Sequence, residues 1–149
     1  MEQTWIKLLE DQELKYHILS IVEALSEDEY LWLPYFTIDD VVAALENGMY
    51  QGWAGGTDDE AEIYAITQVH TYPRAKVLSV LWCHGENAEE YYGPFSDQLT
   101  ILGRIIKADI IEIRGRKGWS RELQSHGFTP TQLILVKEVT PWPKDSLQT

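Results

Sequence analysis

The chain has one cysteine, Cys83, in 149 residues, so it cannot close a disulfide within itself, and a reducing compartment is expected. No stretch approaches the roughly 20 consecutive apolar residues of a membrane span, and residues 1–13 have neither the basic start nor the apolar run of a signal peptide. No internal repeat or low-complexity segment is present. Cations are scarce where acids are dense. Residues 1–73 hold 15 Asp or Glu against Lys7 and Lys15, residues 74–149 hold 10 Lys or Arg against 9 acids, and the formal net charge is -12. Binding of DNA or RNA needs clustered cations to neutralise phosphates, so no nucleic-acid partner is expected. The asymmetry points instead to protein partners or self-association, with a basic surface meeting an acidic one.

The pattern that is present reads as α+β. At this length one core is the simplest expectation, a single domain over residues 1–140 with a tail over 141–149. Trp5 to Leu9 fits either a short first strand or the opening turn of the next helix. Over residues 11–25, Leu14, Ile18, Ile21, Val22 and Leu25 recur at helical spacing, and the acidic run after Leu25 ends that helix. Residues 30–36 form an aromatic connector interrupted by Pro34. Thr37 then caps a second helix with Val41, Val42 and Leu45 on its apolar face and Gly48 as its stop. Three strands joined by short turns follow at 49–54, 61–71 and 75–83, which implies an antiparallel meander. The third is apolar on both faces and should be central. A loop over 86–95 leads to a helix opened by Ser96 and Asp97, then a strand over 109–114, a helix over 119–125 ending at Gly127, and a last strand over 132–139.

Residues 48–53 and 77–85 carry one part of a resemblance. A second is Ile111-Glu112-Ile113, followed by Gly115-Arg116-Lys117-Gly118-Trp119 and then Arg121 and Leu123. A third is Gly127-Phe128 and an apolar strand ending in Lys137-Glu138. With the element order, this resembles the GNAT (N-acetyltransferase) superfamily, and in particular a group of GNAT-like proteins encoded by bacteriophages, often among virion genes. The resemblance implies a mixed, mostly antiparallel sheet flanked by helices, and localisation in the host cytoplasm or the virion. It also implies that acetyl-CoA would be held by a glycine-rich, basic loop between the central strand and its helix. Here that loop, residues 83–95, has no Arg or Lys and no Gly-x-Gly, and Glu86, Glu89 and Glu90 stand where a diphosphate would arrive. Two like charges about 4 Å apart repel by roughly 1 kcal/mol in water and about 4 kcal/mol near a protein surface. Family members often carry an asparagine and a proton-donating tyrosine where this chain has Arg116 and Leu123.

The candidates that remain are few. Cys83 and His84 end the central strand, and Tyr92 lies close by, so these three are the catalytic candidates. Adjacent strand residues point to opposite faces, which keeps Cys83 and His84 apart unless the strand is bulged. Gly85, Gly93, Ser96 and Asp97 are the cofactor-binding candidates. Arg114, Arg116, Lys117 and Arg121 form the one local basic cluster, an interface candidate, with Trp119 expected to anchor its helix to the sheet. No metal site is expected from the spacing of His70, His84 and His126. These features favour a non-catalytic binding or structural component, of a virion or its internal assembly, with a degenerate acetyl-CoA motif. The alternative is an acetyl-CoA-dependent N-acetyltransferase, and a third reading, from charge alone, is a protein that binds a basic host partner.

Overall fold

The chain's computed structural model describes residues 3–28, 36–114 and 119–131, with Lys137 and Val139. Strand β1, Thr4–Leu8, is followed by helix α1, Asp11–Glu27, and helix α2, Ile38–Glu46. Three antiparallel strands come next: β2 (Tyr50–Thr57), β3 (Glu60–Thr71) and β4 (Lys76–Gly85). A 3₁₀ turn, Ala88–Tyr91, runs into helix α3, Tyr92–Ile105, before strand β5, Ile110–Ile113, and helix α4, Trp119–Gln124. The sheet has five strands in the order β1-β2-β3-β4-β5, and only the β4–β5 pair is parallel. This is the expected α+β architecture, with helices on both faces. The aromatic connector up to Tyr35, Arg116, Lys117, and all of the expected last strand and tail except Lys137 and Val139 lie outside the described residues.

The local chemistry explains most of these elements. Thr37 Oγ1 accepts from the Asp40 amide at 3.1 Å and an Asp40 carboxylate oxygen accepts from the Thr37 amide at 3.0 Å, a reciprocal cap that starts α2. These hydrogen bonds hold the Asp40 carboxyl below its usual range. On α1, Ile21 and Leu25 are fully buried against the sheet, each worth about 1.5 to 3 kcal/mol of transfer free energy. Together with Val41, Leu45, Ile66 and Trp82 they fill the core on the α1/α2 face. Trp53, Ile63, Leu78, Val80, Phe95 and Leu99 fill the other, under α3.

The structure decides one open alternative and moves two boundaries. Residues 4–8 are the strand rather than a helical turn, because each pairs with β2 from Thr57 to Trp53. Strand β2 runs through Gly55-Gly56 to Thr57 where a turn was expected, with a register shift between those glycines. A Cβ at Gly56 would run into the Glu60 carbonyl, so the bulge depends on glycine. Helix α3 begins at Tyr92, four residues before the Ser96-Asp97 opening. Pro94 sits in its first turn, where a missing amide costs no helical hydrogen bond.

Candidate active site

Strand β4 is paired on one side along its whole length and on the other for less than half of it. Strand β5 pairs with β4 only from Val77 to Val80, and the last contact is the Arg114 amide on the Val80 carbonyl at 3.0 Å. Among the described residues, Leu81 to Gly85 has no neighbouring strand on that edge. The β3–β4 register also slips here: Ile66 faces Trp82 and Thr67 faces Val80, which leaves Leu81 as an extra residue. A bulge of this kind bends the strand and re-aims the side chains beyond it. An unpaired strand edge inside a fold exposes backbone donors and acceptors that require a partner.

On the α1 face of this open end, His84 is held by two carboxylates. Its Nδ1 lies 2.7 Å from Asp28 Oδ2 and its Nε2 lies 2.9 Å from Glu27 Oε2. Asp28 is the residue that ends α1 and is only 4% exposed. The same Oδ2 accepts from the Trp82 indole at 2.9 Å, and the Trp82 and His84 rings stack nearly parallel with centroids 5.9 Å apart. A carboxylate only accepts, so Asp28 selects the tautomer that carries its hydrogen on Nδ1. Contact with Glu27 requires Nε2 to donate as well. Glu27, at 69% side-chain exposure, can swing aside and leave Nε2 with a lone pair. The result is an imidazole oriented by a buried acid, an arrangement also found in catalytic triads.

On the opposite face, Cys83 is buried, as strand alternation requires. Burial, with a smaller contribution from the Asp28 charge, pushes its thiol up to about 12, so it is no thiolate at neutral pH. Cys83 and Val80 of β4, Ile113 of β5, Tyr92 and Ser96 of α3 and Leu123 of α4 are among the side chains lining a narrow apolar cleft at the point where β5 leaves β4. Next to Tyr92 but turned away from the cleft, Tyr91 donates to Glu62 at 2.6 Å, and Thr57 donates to the other Glu62 oxygen at 3.0 Å. Burial and then the Glu62 carboxylate push the Tyr91 phenol up, so this network is a brace between the 3₁₀ turn and the β2–β3 hairpin.

The other predicted positions are spread around this end. Gly85 has φ +154°, and a Cβ there would strike the Glu62 carbonyl, so close approach of β3 requires glycine. A Cβ at Gly93 would stand 3.1 Å from His126 Cε1, which places that imidazole against the first turn of α3. Asp97 is exposed, as are Glu86, Glu89 and Glu90, whose charges therefore act through water, where like-charge repulsion is weakest. Arg114 is already paired with Glu112 at 2.8 Å, and Arg121 is exposed. Among the described residues, no three His, Cys, Asp or Glu side chains converge as a metal ion would need, and no helix is long and apolar enough to cross a membrane.

Sequence reasoning did not find Asp28, Glu27 or Trp82 as site residues. Asp28 and His84 are 56 residues apart, and in sequence the acidic run at 27–29 reads only as the end of a helix. The usable signal was the topology: a strand-end histidine and a helix-end acid meet when α1 crosses β4.

No protein-family model matches the chain, and no curated protein is similar to it. Solved structures are similar in fold. A probable acetyltransferase superposes with a TM-score of 0.68 at 10% identity, covering 92% of this chain and 97% of its own. A predicted acetyltransferase from Clostridium acetobutylicum, solved with acetyl-CoA, gives 0.63 at 16% identity over 93% and 97%. An aminoglycoside N-acetyltransferase in complex with CoA gives 0.65 at 14% identity over 93% and 95%. The fold is therefore that of the GNAT acetyltransferases.

Proposed function

We propose that the chain is an acetyl-CoA-dependent N-acetyltransferase in which His84, oriented by Asp28, accepts the proton of the acceptor amine. The observation that carries this reading is the 2.7 Å Asp28–His84 contact at the unpaired end of β4. The two structural relatives solved with CoA or acetyl-CoA support it through fold. Bound acetyl-CoA would supply an activated acyl group as a thioester. The residues at the thioester end fit such a ligand: the β4 edge beyond Val80 has no strand on it among the described residues, and the lining beside it is apolar. The acidic turn at 86–90 supplies no cation for a diphosphate, so phosphate contact there would fall to backbone amides. Swinging Glu27 away exposes Nε2 to an incoming amine, and Asp28 stabilises the imidazolium that forms.

A second reading is a non-catalytic, phage-type binding or virion-assembly component. It draws on the family resemblance, on Leu123 standing in the cleft where relatives often have a tyrosine, and on the absence of any Lys or Arg from residue 77 to 103. Thermal melting with acetyl-CoA, and CoA release with a panel of primary amines, separate the two. The enzyme reading expects stabilisation of about 2.7 kcal/mol at a hundredfold excess over Kd, and CoA release that His84→Gln abolishes. Neither a melting shift nor CoA release at millimolar acetyl-CoA would reject it in favour of the second reading.

A further inference from the structure

We infer that Glu27, the last residue of α1, is a specificity-determining residue that holds His84 closed until an acceptor with a second positive charge releases it. This rests on the transferase reading and names the acceptor class as a short diamine rather than a monoamine. The His84 ring is hemmed in. Asp28 holds Nδ1, the stacked Trp82 indole covers one ring face, and Nε2 meets the Glu27 carboxylate at 2.9 Å. An amine that gives its proton to Nε2 must bring its nitrogen within hydrogen-bond reach of that atom, where the Glu27 oxygen now stands. Acceptor and Glu27 therefore exclude each other at Nε2.

The two carboxylates hold the ring with different firmness. The Asp28 side chain is 6% exposed and that of Glu27 is 69% exposed. An ion pair open to solvent binds weakly, so the Glu27 contact is exchangeable where the Asp28 contact is not. Helix stability does not account for Glu27 either. α1 ends on two acids with no cation in its last turn, although the negative end of a helix dipole disfavours carboxylates. What Glu27 does there is keep a proton on Nε2. A carboxylate only accepts, so while both contacts last the ring carries two hydrogens and is an imidazolium that cannot serve as a base. Release requires another cation for Glu27, with the Nε2 proton passing to water. The attacking nitrogen is uncharged when it attacks and cannot be that cation. An ammonium a few carbons further along the acceptor can, because the displaced carboxylate stays tethered beside Nε2.

The test measures CoA release from acetyl-CoA with 1,3-diaminopropane and with propylamine, in wild type, Glu27→Gln and Glu23→Gln. Glu23 is an exposed acid one turn earlier on α1, so its exchange removes the same charge without touching His84. Comparing the two acceptors across variants cancels their intrinsic reactivities. Glu27→Gln should raise kcat/KM for propylamine and lower it for the diamine, narrowing the preference by up to about fivefold, the range of an exposed ion pair. Glu23→Gln should leave the preference unchanged. Nitrogen NMR of His84 without acetyl-CoA gives a second readout: the diamine should remove the Nε2 hydrogen at concentrations where propylamine does not. A preference that survives Glu27→Gln, or that Glu23→Gln narrows equally, would assign the effect to overall charge and overturn the inference. So would an Nε2 hydrogen that responds alike to both amines. In either case, transfer that His84→Gln abolishes would leave the transferase reading standing. Wild type with no transfer to either amine would remove both.

Discussion

The two ends of β4 differ in what borders them, and that difference separates structure from chemistry within one strand. From Lys76 to Val80 the strand has a neighbour on each side, and its side chains are sealed: Leu78 is fully buried, and Ser79 donates to Glu112 at 3.0 Å. Glu112 is pushed up by burial, but hydrogen bonds from Arg114 and Ser79 outweigh this and leave its carboxyl below the usual range. Acid, hydroxyl and guanidinium there satisfy one another. From Leu81 to Gly85 no second strand pairs with it among the described residues, the register slips at a bulge, and an imidazole points at carboxylates that sequence proximity could not supply. On the transferase reading, reactivity belongs to this end, since a group with all its partners in place has nothing left to give a substrate.

The largest effect is expected at the open end. Asp28→Asn keeps the shape but can present an amide hydrogen to Nδ1, which selects the wrong tautomer of His84. Turnover should fall by about 10²- to 10⁴-fold, the range general-base catalysis supplies. Leu78→Ala, at the sealed end, should instead cost about 2 to 5 kcal/mol of stability, read from denaturant unfolding, while molecules that remain folded keep their kcat. Reversed outcomes, with Leu78 controlling kcat and Asp28 controlling only stability, would break the division between the two ends.

A smaller effect is expected at Ser79. Ser79→Ala removes one donor from Glu112 and leaves Arg114 as its partner, so the loss should be about 1.5 to 3 kcal/mol at most, the range for a hydrogen bond to a charged group. It should be smaller at low pH, because a carboxyl held below its usual range gives up this stabilisation as pH falls through its folded value. A penalty independent of pH would mean that Ser79 acts through packing alone.

Much of this fold can be read from periodicity and turn chemistry. The α1 stripe, the Thr37 cap and the three-strand meander all depend on residues within a turn or two of each other, and local rules suffice for them. Strand β1 was ambiguous because five residues of mixed polarity carry no decisive period; pairing with β2, on the far side of two helices in the chain, decides it. The start of α3 was misplaced because Ser96 and Asp97 look like caps, whereas burial of Tyr91 against Glu62 pulls the chain into the helix earlier. The site was half legible. His84 could be picked out as a strand-end residue, but its orienting acid depends on how α1 crosses the sheet, which no local rule encodes.

A second histidine gives the mildest test, because it too lies on α1's face of the sheet, against Tyr64, the β3 residue directly opposite His84. His17 Nδ1 lies 3.0 Å from the Tyr64 hydroxyl, with Lys7 and Glu13 near it and Tyr16 edge-on to its ring. Burial, then the Lys7 charge, lowers its pKa, with Glu13 opposing. The folded state therefore holds the neutral ring more strongly than the unfolded chain does. Stability from this group is fully present above the ordinary value of 6.5 and is lost as pH falls through it toward the lower folded value, since the unfolded chain takes up the proton first. His17→Gln removes that dependence, so the melting-temperature difference between wild type and variant should narrow as the pH is lowered from well above that value to well below it. The change should be small, because the ring is only partly buried. Turnover should be untouched, in contrast with His84, where the same exchange removes the proposed proton acceptor. A pH-independent difference would show that Tyr64 holds both forms of His17 equally well; a large fall in kcat would extend the reactive region from His84 across Tyr64 to α1.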